Sequence, residues 1–262
     1  LCELRVAVEP VTAAGKQDTM QQDTARQDTM RVAVVIPTLN EEDSIGPVVA
    51  GLPRAVVSRI IVADGGSRDA TEARAREAGA EFLSVGRGYG RACLRGAEAA
   101  SDCEIIVFMD GDGADDPGAI EALVAPIRSD QQDFVIASRA SGERDPGSMG
   151  FHQVVSGLAA GWVVGLLYGV RYTDMCAFRA IRRDVLLDLG MQELTYGWNL
   201  EMQMRVARAG LRVREVPVPY HQRVGGESKV AGSLRGTLVA GSRIISTFAR
   251  VSLEPLRNRM SG

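Results

Sequence analysis

The sequence predicts an α/β protein: a mainly parallel, Rossmann-like sheet with helices on both faces, followed by a C-terminal amphipathic helical segment. Short, uniformly apolar runs alternate with stretches of helical length, the rhythm of repeated β-α units. The runs carry almost no polar residues, as strands covered on both faces require. Polar clusters then follow the runs directly, at Pro37 to Glu41, Asp64 to Ser67 and Asp110 to Asp112. Those are the carboxyl ends of the predicted strands, where such sheets bind ligands.

The elements read in order as follows. Val32 to Ile36 is a strand, and Glu41 to Gly51 a helix entered through Asn40. Ile60 to Ala63 is a strand and Asp69 to Ala78 a helix. Phe82 to Val85 is a weaker strand, followed by a helix over Gly90 to Ala100. Ile105 to Met109, five apolar residues, is a buried strand; Pro117 opens a helix over Gly118 to Ile127, since its missing N–H does no harm in a first turn. Phe134 to Ala137 is a further strand.

Residues 1–29 differ from the rest. Lys16 to Met20, Gln21 to Ala25 and Arg26 to Met30 repeat a Gln-Asp-Thr core with a period of five. That composition cannot bury a core, and a disordered tail is expected. The folded unit is expected over 30–230, with a basic amphipathic segment over 231–262. From Met202 to Gly262 there are eleven Lys and Arg against three Asp and Glu, whereas the whole chain has a formal net charge of −3. That overall balance gives no sign of nucleic-acid binding. The four cysteines form no C-x-x-C pair, which argues against zinc and for a reduced, cytoplasmic setting. No signal peptide is visible.

The chemistry concentrates at Asp110-Gly-Asp112. At a strand end, with Gly111 and Gly113 beside them, the backbone can turn both carboxylates towards one hard cation such as Mg²⁺ or Mn²⁺. An acidic turn capping the next helix would show the same pattern. Gly86-Arg-Gly-Tyr-Gly-Arg91 imitates a dinucleotide fingerprint, but position 91 is Arg and the first strand lacks a glycine turn, so a Rossmann dehydrogenase is excluded. Arg87, Arg91 and Arg95 either form a solvated helix face or lie near phosphates.

Taken together, Val34 to Glu42, Val62 to Thr71 and Phe108 to Asp112 resemble the ordered motifs of family 2 glycosyltransferases of the GT-A fold. Thr173 to Arg179, Gly197 to Met202 and Arg223 to Lys229 are similar to the polyprenyl-phosphate branch, typified by dolichol-phosphate mannose synthase. The resemblance spans about residues 31–232. It implies a metal-dependent, inverting transfer of a hexose, mannose or glucose, from a GDP- or UDP-sugar to a polyprenyl phosphate. Pro37, Thr38, Glu41, Asp64 and Ser67 would bind the nucleotide sugar, and Asp110 and Asp112 would hold Mg²⁺ or Mn²⁺ on its diphosphate. Arg139, Asp174, Glu201, Arg223, Ser228 and Lys229 would lie near the transferred sugar and the acceptor phosphate. The less favoured alternative for Asp174 and Glu201 is a structural ion pair with nearby arginines. The chain departs from the pattern at Gly65, usually an acid, and at Ala114, where the mannose synthases have a ligating Gln; Asp115 or water is left for that place. A soluble acceptor, or a non-catalytic nucleotide-sugar-binding module, is the alternative reading.

From Pro146 to Val170 there is no charged residue, and Gly157, Gly161, Gly165 and Gly169 recur every four. A single crossing of a bilayer would separate Asp110 and Asp112 from Asp174 and Glu201. That leaves a helix or helix pair lying in the membrane interface or a buried core helix; the lipid acceptor that the resemblance implies favours the interface, with Phe151, Trp162 and Tyr168 suited to that depth. Between Ala231 and Val251, Leu234, Leu238, Ile245, Phe248 and Val251 alternate with Arg235, Arg243 and Arg250. That pattern fits a basic helix on an anionic leaflet, with the alternative of a helix packed on the domain. Peripheral attachment at the inner face of the cell membrane is the expectation.

Overall fold

The structure, a computed structural model, describes residues 30–224 and 246–254. The expected tail and most of the basic C-terminal segment lie outside these residues. In chain order the elements are β1 (Val32–Thr38), α1 (Ile45–Ala50), β2 (Arg59–Asp64), α2 (Thr71–Glu77), β3 (Glu81–Ser84), α3 (Tyr89–Ala99) and β4 (Ile105–Phe108). A 3₁₀ turn over Pro117–Ala119 leads into α4 (Ile120–Arg128), then β5 (Phe134–Ser138), α5 (Phe151–Tyr168), β6 (Arg179–Arg182), α6 (Arg183–Asp188), α7 (Trp198–Arg208) and β7 (Val213–Pro217). Residues 246–253 are helical.

The seven strands form one sheet in the order β3-β2-β1-β4-β6-β5-β7. β1 pairs parallel with β2 and β4, β2 with β3, and β5 with β7, whereas β6 runs antiparallel to β4 and β5. Every residue of β1, β4 and β5 is buried. Each Val or Ile removed from water there contributes roughly 1.5–3 kcal/mol before entropy is counted. Trp198, wholly buried on α7, meets the ring of Phe108 edge-on at 6.1 Å.

Two strands beyond the expected five complete the sheet. β6 hides its nature because its first residue is Arg179, fully buried against the carbonyls of Cys176, Ala177 and Asn199 and over the Phe134 ring. β7 is a half-exposed edge with an acid and a base inside it, which blurs the apolar signal.

The first helix is shorter than expected. It starts at Ile45, not Glu41, and the residues before it turn against the neighbouring loop: Asn40 N donates to Ser67 Oγ and Glu41 N to Thr71 Oγ1, each at 2.8 Å. Asn40 itself has φ 54° and ends the strand in a left-handed turn. Ser44 Oγ donates to the Gly111 carbonyl at 2.7 Å, so the loops after β1, β2 and β4 form one tied surface.

α5 lies on the domain with its glycine face inward. A side chain at Gly161 would collide with the Tyr172 carbonyl, and Gly165 faces Arg171. The glycine repeat thus serves close approach to residues 171–175 of the same chain. On the outer face Phe151 is 84% exposed, Trp162 57% and Leu166 63%. Among the described residues no helix is long and apolar enough to cross a membrane.

Candidate active site

The loops at the carboxyl ends of β1, β2 and β4 enclose a cleft of ≈ 380 Å³. Pro37, Thr38, Leu39 and Glu41 form one side, and Gly65 the edge beside it. Arg87, Gly88 and Tyr89 precede or open α3, Asp110, Gly111 and Asp112 follow β4, and Thr195, Tyr196 and Arg223 close the remaining walls.

The acidic loop is held by its neighbours rather than by itself alone. Asp112 accepts the N–H of Ala114 at 3.0 Å, and Asp115 accepts that of Asp110 at 3.3 Å. The chain returns beside it after β7: His221 N donates to the Ala114 carbonyl at 2.9 Å and Val224 N to that of Asp112 at 3.1 Å. This pairing brings Arg223 Nε to 3.0 Å from Asp112 Oδ2. Tyr89 Oη donates to Asp110 Oδ1 at 3.1 Å. Burial, then the neighbouring carboxylates, push the Asp110 and Asp115 carboxyls upward. Burial, then the charge of Asp110, raise the Tyr89 phenol well above its ordinary value, so it stays a donor.

These residues fit a divalent cation. The donors are hard oxygens, and repulsion between them is what a cation would offset. Among the described residues no three acidic, His or Cys side chains are gathered into a ready metal cage. Mg²⁺ and Mn²⁺ can be held by one or two carboxylates when phosphates supply the other oxygens.

Of the expected site residues, Pro37, Thr38, Glu41, Asp110, Asp112 and Arg223 line the cleft. Asp64 and Ser67 lie behind it. Asp64 is 2% exposed; its carboxylate accepts the N–H groups of Gly66 and Ser67 at 2.8 Å, the Thr38 hydroxyl at 3.2 Å and the Ser67 hydroxyl. Both residues therefore shape the loop, and its Gly65 faces the cleft. Asp174 grips Arg139 through two parallel bonds of 2.8 Å, and the guanidinium lies 5.0 Å from the Tyr220 ring centre. Arg139 does not line the cleft, but the Tyr220 that it faces is bridged to Asp115 of the acidic loop. Glu201 is wholly buried. It accepts the N–H of Gln192 and Glu193 and pairs with Arg205 and Arg250, each at 2.9 Å. Burial raises it, but those donors outweigh burial and hold it below the usual carboxylate range. Asp174 and Glu201 thus have arginine partners and do not line the cleft. Ser228 and Lys229 lie outside the described residues.

Sequence reasoning missed Tyr89, Thr195 and Tyr196. The signal was in the Gly86 to Gly90 run. A Cβ on Gly88 or Gly90 would strike the carbonyls of Leu194 and Glu193. The glycines let residues 193–196 pack against the start of α3, a use for the run that involves no dinucleotide.

The description Glycosyl transferase family 2 matches residues 33–190. The chain is a family 2 glycosyltransferase. This glycosyltransferase is 37% identical over 214 residues to an uncharacterised glycosyltransferase of Mycobacterium tuberculosis, covering 80% of this chain and 94% of the relative. It is 34% identical over 251 residues to the undecaprenyl-phosphate mannosyltransferase of Micrococcus luteus, covering 88% and 99%. Its fold matches glucosyl-3-phosphoglycerate synthase of Mycobacterium tuberculosis, crystallised with Mg²⁺ and uridine diphosphate, with a TM-score of 0.69 and 23% identity over 90% of this chain and 84% of that one. The glycosyltransferase therefore has the GT-A architecture.

Proposed function

We propose that this glycosyltransferase moves a hexose, mannose or glucose, from a nucleotide-diphosphate sugar to a polyprenyl phosphate, with inversion and with Mg²⁺ or Mn²⁺. The observation that carries the reading is the pairing of Asp112 with Arg223 in a cleft that also holds Asp110. One small space offers carboxylates for a cation and a guanidinium for an anion. A relative with 34% identity is named for transfer to undecaprenyl phosphate, which supports the acceptor class.

In this reading the loop after β1, with Pro37, Thr38 and Glu41, receives the nucleoside, and Asp64 and Ser67 set the shape of the adjoining loop. Asp110 and Asp112 hold the divalent cation, which when bound offsets the charge that develops on the departing diphosphate. Arg139 and Arg223, with Ser228 and Lys229, take the acceptor phosphate. That phosphate is already an anion near neutral pH, so the site needs positive charge to bring two anions together more than it needs a general base. Asp174 keeps the Arg139 fork in a fixed plane, and Glu201 holds the Gln192–Glu193 turn behind the cleft wall. The outer face of α5 rests in the interface of the inner leaflet, its apolar side chains replacing water contact by lipid.

The test is a screen of UDP- and GDP-sugars for diphosphate release, with and without polyprenyl phosphate, with the product anomer read by NMR. Release that depends on the lipid phosphate supports the reading. Equal release with a soluble acceptor and none with the lipid would overturn it.

A further inference from the structure

The helix over 246–253 lies beyond the stretch the family description matches, yet it braces one wall of the cleft. That wall is the turn from Gln192 to Tyr196, whose Thr195 and Tyr196 face the cleft. On its inner side Arg91 N donates to the Leu194 carbonyl at 3.0 Å. On its outer side Arg250 donates from one nitrogen to both Gln192 Oε1 at 3.0 Å and Glu201 Oε1 at 2.9 Å. Thr247 Oγ1 donates to Glu193 Oε2 at 3.2 Å, and the other oxygen of Glu193 accepts the N–H of Thr195 at 2.9 Å. Thr247 is 1% exposed, so this path is sheltered from water. A continuous line of hydrogen bonds runs from the C-terminal helix to a residue of the cleft.

We infer that Arg250 and Thr247 are positioning residues for the nucleotide-sugar cleft, acting through Gln192, Glu201 and Glu193 to fix Thr195 and Tyr196. The inference rests on the proposed function only for what occupies the cleft. The wall has no strand or helix of its own between Gln192 and Tyr196, so its place depends on what holds it from behind. A wall that wanders by about 1 Å forfeits donor alignment, an effect on the order of 10²-fold in the worst cases.

The experiment compares wild type with Arg250→Met, Arg250→Lys and Thr247→Val. Hydrogen exchange is followed over residues 191–197, and calorimetry with UDP and with GDP, each with Mn²⁺, gives the affinity. Arg250→Met keeps the stem and leaves Glu201 with Arg205, so the fold is preserved; melting temperature checks this. The expected result is exchange about tenfold faster in 191–197 with Arg250→Met, against little change elsewhere, and nucleotide affinity lower by about fivefold. Arg250→Lys restores both, since a single nitrogen makes both contacts. Thr247→Val gives the same changes in smaller measure. Unchanged exchange in 191–197, or faster exchange with unchanged affinity, overturns the inference. If wild type binds neither nucleotide, the proposed function fails, while the exchange arm still decides whether the brace exists.

Discussion

Arg223 Nε and Asp112 Oδ2 stand 3.0 Å apart, joining the loop after β4 to the chain that follows β7. The pair is only part-buried: the guanidinium is 40% exposed and the carboxylate 7%. A part-exposed guanidinium can leave the carboxylate for a phosphate without a large desolvation cost. Arg223→Ala is therefore expected to raise KM for the lipid phosphate more than it weakens nucleotide binding, and Lys229→Ala to do the same. Lys at 223 is not expected to restore activity if phosphate is held by the planar fork. Steady-state kinetics with both substrates varied measure this, and unchanged lipid kinetics would remove these residues from the site.

Asp110→Ala and Asp112→Ala should each reduce turnover by roughly 10³-fold or more, the loss expected when charge on a leaving group is left uncompensated. Melting temperature should stay near that of wild type, because both side chains sit at the cleft and not in the apolar core. Diphosphate release with and without EDTA gives the readout. Full activity in EDTA, or in either variant, rejects the metal assignment.

Tyr89→Phe removes one hydroxyl from Asp110 and keeps the ring. A hydrogen bond to a charged group is worth about 1.5–3 kcal/mol, and part of that orients the carboxylate. The expected result is a Mn²⁺ requirement raised by about tenfold with little change in thermal stability, read by electron paramagnetic resonance of free Mn²⁺. Wild-type Mn²⁺ affinity in the variant would mean that the hydroxyl does not orient the ligand.

Asp174→Asn breaks a fork whose carboxylate is 1% exposed and whose guanidinium is 18% exposed. Removing one partner of such a pair costs about 3–5 kcal/mol, because the remaining charge stays buried. Urea unfolding should show a loss of this size, along with lower activity as Arg139 loses its plane. A loss below about 1 kcal/mol, the scale of a surface pair, would contradict the burial.

Fractionation after lysis without detergent should find the protein with membranes, and alkaline carbonate should release at least part of it. Trp162→Glu and Leu166→Glu, on the exposed face of α5, should weaken that association while leaving the melting temperature almost unchanged. A fully soluble wild type would sink the membrane reading.

Five of the seven strands and the cleft at their ends were legible because parallel strands are apolar throughout and their loops polar. Pro37, Glu41, Asp110 and Asp112 announced themselves by standing where an apolar run stops. The roles of Asp64 and Glu201 were not legible. A carboxylate that organises backbone N–H groups and one that meets a ligand look alike in sequence, and only tertiary contacts separate them. β6 was hidden by a buried arginine, a residue whose charge reads as surface. Arg250 was expected to face an anionic leaflet, but it turns inward to Glu201 with Val251 buried beside it, so the described part of the C-terminal helix takes the alternative of packing on the domain. Heptad-like spacing defines an apolar face without saying what covers it.

The stitching of Ala114 to His221 and of Asp112 to Val224 has a consequence for synthesis. The floor of the cleft comes from strands made early, but one of its walls is among the last of the described sheet region to leave the ribosome. Closing so long a loop carries an entropic cost that is repaid only when the late segment docks. A nascent chain halted before residue 220 should thus possess all of β1 to β4 and still lack the guanidinium that stands against Asp112. Competence for transfer would then arrive in one late step, when the segment after β7 docks on the acidic loop.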